Sequence, residues 1–373
     1  MQLRFVDLFS CGGGMSTGFA RQGSFLPIGA VDLEVAKPSS GVGATGCNAT
    51  YEANLGLRPL SADLSVCEPD EVAAHFGFAP SDVDVLISCA PCTGFSQKQS
   101  RNHISDDPRN RLGERTAVYA AAWKPRYVVI ENVKELLRGR HNHHFHSLHR
   151  SLSALGYEVF AEVHDLKTFG LPQSRIRSLI VAKLNGRFDF HAPDLPGLTT
   201  VRDAIGHLPW LGAGETHPSD PMHASPSMNG HSLARMQAIP KDGGSWTDIP
   251  ENLAHLRIPS MNIDKPGSFP DIYGRLAWEK VAPTITRECS HPGNGRYSHP
   301  EQDRLLSVRE MALLQGFPPD YQFLGSLSSR YRQIGDAVPP LVATIIAEAI
   351  ADDAVGRGGA LANRSQRQYA MAI

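Results

Sequence analysis

The sequence predicts an α/β fold, a parallel β-sheet covered by helices on both faces, joined to a second region of largely irregular structure. Three observations predict it. Short, continuous runs of β-branched and apolar residues alternate with helical stretches through the first half of the chain, as expected of strands buried on both sides. From about Asn185 to Tyr297 this periodicity dissolves into a segment dense in Pro, Gly, His and Ser. It then returns in two apolar helical patterns, Ser307–Gln315 and Leu341–Ile350.

In order, Leu3–Phe9 reads as a buried strand, followed by a glycine cluster and a helix from Met15 to Gln22. Phe25–Leu33, Val83–Ser88 and Tyr127–Glu131 read as the next strands, His143–Leu155 as a helix, and Val159–Leu166 and Arg177–Ala182 as further strands. The organisation expected is residues 1–184 as a first, sheet-based domain and 185–305 as a second region of largely irregular structure. Residues 306–355 then return to the first domain, and 356–373 form a polar, flexible tail.

Composition narrows the class. With 373 residues and 41% apolar content the chain can bury a sizeable core. Lys and Arg (36) nearly balance Asp and Glu (38), so any basic footprint is local. No run of eighteen apolar residues is present, and Met1–Asp7 leads straight into a strand, so neither a membrane span nor a signal peptide is expected. Six cysteines in so long a chain suit a reducing compartment better than a disulfide scaffold.

Four segments carry residue types suited to chemistry. Asp7-Leu8-Phe9-Ser10-Cys11-Gly12-Gly13-Gly14 lies between the first strand and helix, where glycines let backbone approach a ligand. Asp32 and Glu34 end the second strand, where a carboxylate can bind ribose hydroxyls. This pattern alone does not separate NAD, FAD and S-adenosylmethionine, or a ligand from a tight turn. Ser88-Cys89-Ala90-Pro91-Cys92-Thr93-Gly94-Phe95-Ser96 fits an activated nucleophile, a redox pair or two small buried residues. Glu131-Asn132-Val133 puts a carboxylate at the end of a buried strand, a candidate general acid, although an exposed strand-end glutamate is the bland alternative. Gln173-Ser174-Arg175-Ile176-Arg177 sets two arginines on one face of an extended segment, suited to a carboxylate, phosphate or base carbonyl, or to a solvated edge strand. His141, His143, His144, His146 and His149 scatter around a helix with no carboxylate or cysteine set to complete a metal site. They read as a solvated face, and no metal is expected.

The order of these motifs, closed by Gly335-Asp336-Ala337-Val338-Pro339-Pro340, strongly resembles the DNA (cytosine-5)-methyltransferase family from Phe5 to about Ile350. The resemblance implies a doubly wound methyltransferase (Rossmann-like) sheet with a smaller target-recognition domain. It implies S-adenosylmethionine as cofactor, S-adenosylhomocysteine as product and double-stranded DNA as partner. By resemblance Cys92 is the thiolate that adds to carbon 6 of a flipped-out cytosine, and Glu131 contacts N3 and the exocyclic amine. Arg175 and Arg177 orient the base and stabilise charge on O2. Phe9 lies against the adenine, Ser10, Cys11, Gly12, Gly13 and Gly14 surround the methionine moiety, and Asp32 holds the ribose. Asp63 approaches the adenine amine, and Asp336 and Val338 close the pocket.

The chain departs from the family pattern at Cys11, where glycine is usual, and at Ala90, where the family has a second proline before the cysteine. Gly94-Phe95-Ser96 favours DNA over the RNA-methylating branch, the alternative reading. A monomeric, cytoplasmic, nucleoid-associated bacterial modification enzyme is expected, with or without a cognate restriction endonuclease. Arg257, Arg275, Arg287 and Arg296 are the arginines expected to be available for phosphate or guanine contacts.

Overall fold

A computed structural model describes residues 2–35, 45–91, 106–193, 195–261 and 271–356. Cys92 and Gly94-Phe95-Ser96 lie outside the described residues, as does the tail from 357.

The described elements are β1 (Leu3–Leu8), α1 (Gly14–Gln22), β2 (Phe25–Val31), α2 (Cys47–Leu55), α3 (Pro69–Phe76), β3 (Val85–Ser88), α4 (Arg115–Trp123), β4 (Tyr127–Val133), α5 (Glu135–Arg138) and α6 (His143–Ala154). They continue with β5 (Tyr157–Asp165), β6 (Ile176–Leu184), α7 (Val201–Ile205), β7 (Thr216–His217), β8 (Asp220–Ala224), α8 (Gly230–Ala238), α9 (Val308–Leu314), α10 (Leu327–Asp336) and α11 (Pro340–Ala354). The main sheet has six strands in the order β2-β1-β3-β4-β6-β5. From β2 to β4 the pairings are parallel, and β4 is buried at every position, which is why Tyr127–Ile130 is continuously apolar rather than alternating. One finding refines the all-parallel expectation: β6 runs antiparallel to both β4 and β5. The link 166–175, which holds one 3₁₀ turn, is too short for a parallel crossover, so the chain folds back as a hairpin.

The two sheet faces carry separate cores. One joins Phe5, Ile87, Val129 and Val181 to Met15 and Phe19 of α1 and to Val342, Ile345 and Ile346 of α11. The other joins Val6, Leu86, Val128 and Ile130 to Val72, Tyr119, Trp123 and Leu148 from α3, α4 and α6. Helix α11 is apolar nearly all round because it is buried nearly all round, and Pro340 occupies its first turn, where no amide partner is needed. The stretch Leu327–Ala354 contains a window apolar enough to cross a membrane, but 78% of that window is buried inside the fold. Pro339-Pro340 also divides it into two helices.

The region after β6 has its own packing. Met236, Ile239, Trp246, Ile249 and Tyr273 form a small core. A second cluster ties Val201, Leu276 and Trp278 to α9 and α10. Irregular backbone of this kind needs side chains to satisfy its carbonyls. Arg275 does so from a fully buried position, donating to the carbonyls of Met236 (2.7 Å), Ile239 (3.1 Å), His299 (3.1 Å) and Gln302 (2.8 Å) and pairing with Asp303.

Candidate functional site

Strands β1 to β4 deliver their chemistry to one edge of the sheet, the carboxyl edge where open α/β sheets bind ligands. After β1 the chain turns sharply through Phe9 (φ 60°) and Cys11 (φ 46°), two non-glycine residues in the left-handed region. Such backbone is strained and persists only where its surroundings hold it. Here the Asp32 carboxylate does so, accepting the Cys11 N–H at 2.9 Å through one oxygen and the Glu34 N–H at 2.7 Å through the other. The Cys11 side chain meets Cys47, whose thiol is pushed up mainly by that contact and by burial. Cysteine at position 11 thus has a neighbour of its own at the turn.

The glycine run serves packing as well as ligand access. A Cβ on Gly14 would sit 2.3 Å from the Val338 carbonyl oxygen, so α1 can meet the segment before α11 only if residue 14 is glycine. At Gly335 a Cβ would lie 2.4 Å from the Thr286 carbonyl oxygen, and this close approach brings Arg287 beside Asp336. Arg287 Nη1 pairs with Asp336 Oδ2 at 2.7 Å, and its charge also acts on Asp32.

Three carboxylates gather here, Asp7 buried, Asp32 half-buried and Asp336 at the rim. Asp7 is pushed up to about 7, chiefly by desolvation, despite a 2.5 Å hydrogen bond from the Ser16 hydroxyl. Asp336 is pushed up to about 6 by burial, against the opposing pull of Arg287, and Asp32 is raised by burial as well. Asp7 Oδ1, Ser10 Oγ, and Nε and Nη2 of Arg287 are buried without hydrogen-bond partners among the described residues. Buried polar atoms are normally satisfied, so unused acceptors and donors gathered at one edge of the sheet suit a polar ligand. Asp63 is exposed on a turn just after Leu60, which bridges to Val31, and its carboxylate accepts the Ser65 N–H at 2.9 Å.

The second half of the site gathers on β4. Glu131 is 7% exposed and ion-paired with Arg177 Nε of β6 at 3.0 Å. Asn132 reaches across to β3, donating to the Ala90 carbonyl at 3.1 Å, so β4 fixes the chain just ahead of Cys92. Cys89 lies between Glu131 and Asp7, and burial followed by those two negative charges pushes its thiol well up. A thiol held protonated is a poor nucleophile, so the site does not activate Cys89.

Arg175 and Arg177 go to different partners. Arg175 is buried and donates to the carbonyls of Ile285 and Ala337, both at 3.1 Å. Gln173, from the same motif, donates to Gln315 Oε1 (2.6 Å) and accepts the Ile285 N–H (2.9 Å). The motif therefore ties the sheet to the residues on either side of α10.

Of the four arginines expected to be available for DNA contacts, Arg275 is corrected. Arg275 is fully buried as described above. Arg296 donates to the carbonyls of Gly243, Gly244 and Arg275. Arg257 holds the Ile249 carbonyl and Arg287 pairs with Asp336, and both side chains remain partly exposed. The histidine reading is also corrected, since Asp106, distant in sequence, supplies a carboxylate beside His143 and His144. His149 lies elsewhere on α6, against Phe145 and Ser153.

The profile of the family described as C-5 cytosine-specific DNA methylase matches residues 3–352. The chain belongs to that family. It is 34% identical to the Type II methylase M.HgiDII of Herpetosiphon aurantiacus over 355 residues, covering 92% of this chain and 94% of the relative. It is 35% identical to the Type II methyltransferase M1.HphI of Haemophilus parahaemolyticus over 357 residues, covering 94% and 87%. The fold matches that of the S. pombe Dnmt2 methyltransferase (TM-score 0.57, 18% identity, 95% of this chain and 99% of that one). It likewise matches the Entamoeba histolytica methyltransferase EhMeth (TM-score 0.61, 14% identity, 95% and 99%). As a C5 cytosine methylase, the protein is an enzyme of DNA methylation, and the doubly wound methyltransferase fold read from its motifs is the fold it has.

Proposed function

We propose that this methylase transfers a methyl group from S-adenosylmethionine to carbon 5 of a flipped-out cytosine in a specific duplex sequence, through a covalent adduct on Cys92. The observation that carries this reading is the frame on β4, where Glu131 is paired with Arg177 and Asn132 holds the backbone just ahead of Cys92. A bacterial modification role, with or without a cognate endonuclease, follows from the likeness to Type II methylases. Residues 1–184 and 306–355 form the catalytic part in this reading, and 185–305 recognise the target.

The pocket suits the cofactor's chemistry. When bound, S-adenosylmethionine supplies an electrophilic methyl on a sulfonium. Asp32 would hold the ribose diol, with Asp63 toward the adenine amine. The unsatisfied atoms of Asp7, Ser10 and Arg287 are complementary to a zwitterionic methionine end. Phe9 would pack on the adenine, Cys11 and Gly12 to Gly14 would line the methionine side, and Asp336 and Val338 would close the pocket.

Carbon 5 of cytosine is too weak a nucleophile to be methylated unaided. In the proposed step the Cys92 thiolate forms a bond to carbon 6, and the displaced π pair makes carbon 5 nucleophilic. Glu131 donates a proton to N3, neutralising the charge that develops on the ring, while Arg177 holds that carboxyl in place and faces O2. After carbon 5 is methylated its proton leaves to solvent. The C5–H electron pair re-forms the double bond between carbons 5 and 6 as the C–S pair returns to sulfur, and N3 gives its proton back to Glu131.

Bisulfite sequencing of DNA from cells expressing the chain tests the reading. Protected cytosines at one recurring sequence are expected. Complete conversion at every cytosine, with the protein present and folded, would contradict it.

A further inference from the structure

We infer that Asp106, His143 and His144 form a binding site for a divalent transition-metal ion such as zinc, outside the methyl-transfer site. One carboxylate oxygen, Asp106 Oδ2, faces His144 Nε2 at 2.8 Å and His143 Nε2 at 3.3 Å. The three ligand atoms lie within 4.8 Å of one another, a cluster small enough to close on a single ion. Two imidazole nitrogens and one carboxylate oxygen form a ligand set typical of zinc, leaving a position for water.

The surroundings favour an ion over a plain hydrogen-bonded cluster. His144 is 5% exposed, and its other ring nitrogen, Nδ1, lies 3.3 Å from Glu114 Oε1. A carboxylate on the far nitrogen of a histidine is the usual support for a metal ligand, since it fixes the tautomer that leaves Nε2 free to bind. The His143 ring centroid lies 4.2 Å from that of His144, and His141 Nδ1 lies 3.8 Å from Asp106 Oδ1, so the imidazoles crowd around one carboxylate. Asp106 and Glu114 also offset the positive end of α6, which would otherwise disfavour a cation there. Asn110 donates to Asp106 Oδ1 at 2.6 Å and so orients the carboxylate, leaving Oδ2 toward the histidines. The ion would fasten the chain before α4 to the start of α6, a structural clip on the sheet's second face.

The test is Co²⁺ titration of the chelator-treated, full-length protein, followed by displacement with Zn²⁺. One equivalent should bind with ligand-field bands of a nitrogen–oxygen site and no sulfur-to-metal charge-transfer band. His143→Ala and Asp106→Ala should abolish those bands, and His149→Ala should leave them unchanged. Glu114→Gln should weaken binding about 10–100-fold. Because His143 is exposed, its alanine variant tests the site without disturbing the core. No bound ion, a thiolate charge-transfer band, or binding unaltered by both His143→Ala and Asp106→Ala would overturn the site.

Discussion

At the scale of single residues, the site separates groups by the environment each is given. Glu131 has an arginine partner and sits at the edge where a base would enter, so its replacement should harm chemistry more than binding. Glu131→Gln is expected to lower kcat about 10²–10⁴-fold, the range for losing a positioned general acid, with DNA affinity nearly unchanged. Single-turnover methylation alongside a gel-shift titration measures both, and a variant with wild-type kcat would remove Glu131 from the chemistry. Asp7 makes a different prediction. Its carboxyl titrates near 7 in the fold, against an ordinary value of 3.8. The folded state therefore keeps the proton to higher pH than the unfolded chain, and stability falls as pH rises from about 4 to about 7. A gap of roughly three pKa units corresponds to about 4 kcal/mol at most. Asp7→Asn should flatten this decline in urea unfolding of the cofactor-free protein, leaving the slope due to Asp32 and Asp336. Identical pH slopes in variant and wild type would contradict the burial argument.

At the scale of elements, the irregular region is held by buried guanidinium groups as much as by apolar packing. Arg304 is fully buried and makes a two-pronged pair with Glu310 (2.7 and 2.8 Å), whose carboxylate also accepts the Ser307 N–H at the start of α9. Arg304→Met would leave Glu310 buried and uncompensated, and a loss of about 3–5 kcal/mol is expected from denaturant unfolding. A change below 1 kcal/mol would show that the pair contributes little. Elements of the sheet were legible in the sequence because burial on both faces leaves continuous apolar runs. Tyr127–Ile130 shows this most clearly. The antiparallel turn of β6 was not legible, since its apolar run looks the same in either direction. Nor were the roles of Arg275 and Arg296, because a buried arginine that satisfies loop carbonyls leaves no periodic signal. The carboxylate beside His143 and His144 was hidden for a related reason: Asp106 meets them only through the fold.

At the scale of the whole molecule, two distant parts of the chain build one pocket. The turn after β1 meets the segment before α11 because Gly14 admits the Val338 carbonyl, and Gly335 admits the backbone of Thr286 and Arg287. This is why motifs at Asp7 and Asp336 belong together, and why their order along the chain was informative before any contact was known. In the proposed mechanism Cys92, two residues after Ala90, makes the covalent attack on cytosine. The most direct test is a target duplex in which fluorine replaces the hydrogen on carbon 5, incubated with enzyme and S-adenosylmethionine and resolved on a denaturing gel. Fluorine cannot leave as a cation, so the Cys92 adduct should persist as a cofactor-dependent, slower-migrating band in wild type and Cys89→Ser, and be absent in Cys92→Ser. Cofactor-dependent methylation of the natural duplex with no trapped species from the fluorinated one, or trapping that survives Cys92→Ser, would contradict it.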